Sequence, residues 1–167
     1  MSDRRESIVI VVELNQTAPH AWIDGEQLRE AIRRVTSNEG FSRGNVSLAI
    51  VDDPTIHELN RRHLQHDYPT DVLSFVLHRE ADHLDGEVIV SADTAESTAA
   101  DYDWPPAAEL LLYVIHGTLH LVGFDDKSPE KRVVMRAKEA EYLDLFGWTV
   151  PAMADEEDEA DAAGGSP

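Results

Sequence analysis

The chain has 167 residues, 42% of them hydrophobic and 28% charged, with a formal net charge of −19 and no cysteine. That is enough apolar material for one globular core over residues 1–150, and it rules out a disulfide framework, a thiolate metal site and a cysteine nucleophile. No run nears the roughly 18 apolar residues of a membrane span and no cleavage site follows the N-terminal MSDRRESIVIVVELN, which points to a cytoplasmic protein without membrane contact; the acidic balance counts against a broad phosphate-binding surface.

SIVIVVELN (residues 7–15) is short and β-branched, the pattern of a buried strand. A helix should follow, capped by Asp24, with Leu28, Ala31, Ile32 and Val35 on one face and Gly40 as its stop. NVSLAIV (45–51) is a second strand, and the next helix is expected to start with Asp53 as N-cap and Pro54 at its first position. DVLSFVL (71–77) and GEVIVSAD (86–93) complete four strands, and DTAESTAADY makes a short helix. After Pro105 and Pro106, AAELLLYVIHGTLHLVG is apolar nearly all round, which places that helix at the centre of the core. Ser128 caps a last amphipathic helix, with Pro129 at its first position and Gly147 beyond its end. The expected fold is α+β: a small mixed sheet of about four strands packed on helices, the central apolar helix among them. The segment from 151 to 167 has six acidic and no basic residues, so −13 of the −19 belongs to the rest of the chain; its composition predicts a disordered acidic tail.

Within the central helix, HGTLHLVGFDD (116–126) sets two histidines four positions apart, on one helical face. Burying two imidazoles side by side is costly unless something shared satisfies both, and a divalent cation does so. Gly123 can end the helix in the left-handed conformation and turn the chain back, bringing an anionic oxygen from Asp125 or Asp126 to the same point. Two histidines and one carboxylate leave a coordination position open, the arrangement of a catalytic metal site. The spacing also matches HExxHxxGxxH of the metzincin proteases, but Gly117 replaces their general base and Asp126 their last histidine, which removes the protease mechanism.

HGTLHLVGFDD closely resembles the HGxLHLxGYDH motif of the YbeY family of metal-dependent endoribonucleases. LNRRHLQHDYPTDVLSF (59–75) and GEVIVSADTA (86–95) resemble that family's other segments, in the same order. The resemblance implies that His116, His120 and Asp126 bind one Zn2+ per chain. Asp126 stands where the family has histidine, and its harder oxygen opens the site to other divalent ions. Asp125 matches the family's aspartate; with His116 it is a candidate catalytic residue, while the general base stays open between water activation and attack by a substrate 2'-hydroxyl. Leu64 stands where many relatives carry an arginine, leaving Arg61 and Arg62 as candidate phosphate contacts beside Thr70, Asp71 and Ser74 as substrate-groove residues; His63 and His66 read as surface residues. The implied function is cleavage of single-stranded ribosomal RNA, in maturation of the 16S rRNA 3' end and in ribosome quality control. The implied partners are single-stranded rRNA and the small ribosomal subunit, with ribosomal proteins or an assembly GTPase as further partners. The alternatives are a non-catalytic ribosome-assembly factor and a metal-dependent hydrolase of another substrate.

Overall fold

The computed structural model describes residues 10–18, 20–64 and 72–151. In chain order the elements are β1 (Val11–Gln16), α1 (Gly25–Asn38), β2 (Arg43–Val51), α2 (Asp53–Leu64), β3 (Val72–Glu80), β4 (His83–Ser91), α3 (Ala92–Tyr102), α4 (Pro106–Leu121) and α5 (Pro129–Leu145). The four strands form one mixed sheet in the order β1-β2-β4-β3. β1 and β4 both run parallel to β2, and β3 runs antiparallel to β4 at the edge. The fold is α+β, as the sequence predicts.

Strand periodicity decides which helix lies on which face. Leu84, Gly86, Val88 and Val90 of β4 are buried and alternate with Asp85, Glu87 and Ile89, which are less so. The first set joins Val46, Leu48 and Ile50 of β2 in the main core, against Leu28, Ile32 and Val35 of α1 and Leu111, Ile115 and Leu119 of α4. On the opposite face, Val51, Ile56 and Leu73 form a smaller cluster with Leu59, Phe75 and Ile89, and this holds α2 to the sheet. Thus α2 and α4 lie on opposite sides of β4.

α4 is the central helix. Pro105 has extended backbone (φ −66°, ψ 145°) and leads into Pro106 at the first turn, where a missing N–H costs nothing. From Ala108 to Leu121, the positions that are not buried are Leu112, His116 and His120. Their spacing of four makes one stripe, so a helix otherwise sunk in the core reaches the surface along the line that carries the histidines. Its end is a paired-carbonyl cap: Gly123 N–H donates to His120 O (3.2 Å) and Phe124 N–H to Leu119 O (3.0 Å), with Gly123 at φ 113°. Arg79 of β3 adds a donor to the Leu121 carbonyl at 2.8 Å.

Two expectations need correction. Asp53 does not cap α2: Asp52 does, its Oδ1 accepting from Thr55 N–H at 2.9 Å. Asp53 is already in the helix, and its carboxylate accepts from Ser91 Oγ and Thr94 Oγ1 at the start of α3. The two adjacent aspartates are equivalent caps by sequence, and the neighbouring helix decides between them. The hairpin arms of β3 and β4 also run further than expected, because pairing continues through charged residues to Glu80 and His83, around a tight turn with Ala81 at φ 54°, while β4 ends at Ser91, which caps α3, and not at Asp93. Such residues carry no alternation to read. Thr70, Asp71, His66 and the tail from 152 onward lie outside the described residues, as do the side chains of His63 and Leu64.

Candidate metal centre

α4 and the loop after it bring His116, His120 and Asp126 together, with one donor atom from each lying within 4.8 Å of the others. His116 Nε2 and His120 Nε2 are 3.0 Å apart, and Asp126 Oδ2 and Oδ1 lie 3.8 and 4.0 Å from them in turn. Donors about 2.0–2.1 Å from a tetrahedral cation are about 3.3 Å apart, so the trio brackets that requirement. Two imidazole nitrogens facing each other at hydrogen-bond distance also need either a proton or a cation between them. The donor set therefore fits a divalent metal. The side chain of Asp126 is 42% exposed and those of His116 and His120 are 23% and 29% exposed, so the centre opens to solvent on the aspartate side.

Both histidines are held from behind. His116 Nδ1 is 2.6 Å from Oε2 of Glu139 on α5, and His120 hydrogen-bonds the backbone of Phe124. Burial, followed by the neighbouring His116, pushes the pKa of His120 below its ordinary value, which favours the neutral, ligating form. Ser74 of β3 donates from Oγ to the Gly117 carbonyl at 2.9 Å, one residue from His116. Glycine is required at 117 by the strands: a Cβ there would meet Val88 Cγ1 at 2.7 Å, Val72 Cγ2 at 2.9 Å and Ser74 Oγ at 3.0 Å.

Asp125 takes a different direction from Asp126. Its carboxylate accepts from Lys127 N–H at 3.0 Å and from Lys131 Nζ at 3.3 Å, and these partners, the backbone N–H first, hold its pKa below the usual carboxylate value. Arg132 spans the same loop, its Nη1 donating to the Asp126 carbonyl at 3.3 Å. Ser74 is thus the expected substrate residue that the fold brings beside the histidine helix. Arg61 and Arg62 are exposed on α2, across the sheet from α4, and Arg61 pairs with Glu58. Glu139, Arg79 and Arg132 belong to no motif that marks them in the sequence. Glu139 had left a signal: an acid on the stripe Met135, Glu139, Tyr142, Leu143 that α5 buries.

The family model described as Endoribonuclease YbeY matches residues 13–147. The chain belongs to the YbeY endoribonuclease family. Among curated YbeY proteins, that of Rhodopirellula baltica is 47% identical over 133 residues, covering 78% of this chain and 69% of that protein. The YbeY of Salinibacter ruber is 40% identical over 133 residues, covering 75% of this chain and 85% of the relative. The solution structure of TM1509 from Thermotoga maritima superposes with a TM-score of 0.59 at 28% identity, over 80% of this chain and 87% of that one. The YbeY match includes His116, His120, Asp126 and Glu139 and stops at the residue that ends α5's cap, Gly147.

Proposed function

We propose that this protein is a metal-dependent endoribonuclease that cleaves single-stranded RNA, with Zn2+ as its ion and the 3' end of 16S ribosomal RNA as its target. The observation that carries this reading is the convergence of His116, His120 and Asp126 at a solvent-open point; the names of the YbeY relatives supply the substrate class. In this reading the protein works in the cytoplasm, in ribosome quality control, with the small ribosomal subunit, its proteins and an assembly GTPase as partners. Among the described residues no helix is long and apolar enough to cross a membrane.

A divalent cation at this centre supplies Lewis acidity toward a phosphodiester. The chain's own residues do the rest. His116 and His120 present Nε2, Asp126 adds an anionic oxygen and leaves the approach open. Asp125, accepting from Lys127 N–H and Lys131 Nζ, holds the loop that carries Asp126. Of the chain's 14 basic residues, five lie close in sequence on this loop and α5: Lys127, Lys131, Arg132, Arg136 and Lys138. They are interspersed with six acidic residues, Asp125, Asp126, Glu130, Glu139, Glu141 and Asp144, so contact with RNA phosphates falls to individual side chains and not to a basic face. Ser74 lines the β3 side; Thr70 and Asp71, the residues just before β3, are proposed to continue the groove.

The test is cleavage of a labelled single-stranded RNA by wild type, His120→Ala and chelator-treated protein. The expected outcome is zinc-restored cleavage by wild type and a loss of at least about 100-fold in His120→Ala. Equal cleavage by wild type and His120→Ala would sink the reading. Metal and RNA binding without cleavage would replace it with the assembly-factor alternative.

A further inference from the structure

A carboxylate only 4% exposed on the apolar side of a helix needs a partner that offsets its desolvation. Glu139 lies on α5 between Met135 and Tyr142, both buried, and its Oε2 meets His116 Nδ1 at 2.6 Å. The contact with Arg136 is longer, 3.9 Å to Oε1, and that arginine is 38% exposed. The closest ionic contact of Glu139 is therefore the imidazole. A carboxylate accepting here places the proton on Nδ1 and leaves the lone pair on Nε2. Nε2 is the atom that faces His120 Nε2 at 3.0 Å and Asp126 Oδ2 at 3.8 Å.

We infer that Glu139 is the positioning residue of the metal centre: it fixes the tautomer and ring plane of His116 so that Nε2 points to a divalent cation, and it makes that nitrogen a stronger donor. The inference rests on the metal-centre reading above. The two histidines are then oriented by different means. His120 is tied to a backbone carbonyl within its own helix cap, a support the local chain provides. His116 depends on a side chain 23 positions later, so its orientation reports the docking of α5 on α4. A carboxylate behind a ligating imidazole raises its basicity, and losing such a partner costs about 10–100-fold in metal affinity.

The experiment uses the metal-free full chain and titrates Zn2+ against a chromogenic chelator, with Glu139→Leu and Glu139→Gln beside wild type and His116→Ala. Leucine is apolar and of similar size, so a purely structural role for Glu139 predicts an unchanged or higher melting temperature and unchanged zinc affinity. The positioning role predicts a folded Glu139→Leu chain that binds zinc about 10–100-fold more weakly. Glu139→Gln keeps an acceptor at Nδ1 and should fall between, weaker than wild type by several-fold. The visible spectrum of the Co2+-loaded chains should shift in the same order, because it follows ligand geometry. A folded Glu139→Leu chain that binds zinc within about two-fold of wild type overturns the inference while leaving the metal centre standing. A wild type that holds no more zinc than His116→Ala overturns both.

Discussion

Burial and the neighbouring His116 both disfavour a proton on His120, so the folded chain protonates it below the ordinary value of 6.5 at which the unfolded chain does. The sign follows from linkage: the stability this group contributes is complete above the unfolded value and is lost as pH falls through the folded one. Metal-free wild type should therefore lose melting temperature on acidification from about pH 7.5 to 5, and His120→Gln, which has no proton to take up, should lose less. Thermal unfolding at a series of pH values measures the difference. At this scale the histidines were legible, because helical spacing alone puts them on one face. The choice between Asp125 and Asp126 was not, since adjacent loop residues point apart and only Lys127, Lys131 and the histidines show which goes where. Glu139 was harder still, as its role exists only once α5 lies on α4.

The packing of α4 on the strands depends on Gly117. Alanine there gains up to about 1 kcal/mol of helix propensity, but its Cβ would press on two valines, Val88 and Val72, at 2.7 and 2.9 Å. β-branched side chains have few rotamers with which to yield, and overpacking of this kind costs about 1–3 kcal/mol. The clash wins. Gly117→Ala should lower the urea midpoint without changing the slope, and weaken zinc binding as the helix lifts away from β3 and carries His116 with it. Capping residues made most helix limits readable: Asp24 and Ser128 accept from Gln27 and Lys131 N–H as expected, and Gly40, Gly123 and Gly147 all have positive φ just past helix ends. Strand limits were less readable where charged residues pair across the hairpin from Glu80 to His83.

For the whole molecule, long-range charge opposes the proposed substrate. The six acidic residues after Pro151 account for about a third of the net −19, and removing them leaves −13 and relieves repulsion of a polyanion. A chain ending at residue 151 should bind single-stranded RNA more tightly at low salt, and the advantage should vanish as screening rises; fluorescence anisotropy across a salt series tests it. The strand order β1-β2-β4-β3 could not be read from the sequence, because pairing between distant strands leaves no local mark. The centre is the reverse case, since every group in it lies on the short stretch from α4 to α5. A cation there ties together residues that chain connectivity already keeps close, six positions separating His120 from Asp126. Such a tie removes less freedom from the unfolded ensemble than one between distant segments. The main apolar clusters also close without the ligands. On the proposed reading, an ion at this centre would be a guest of a fold that its apolar clusters already close, so its removal should cost activity more than stability.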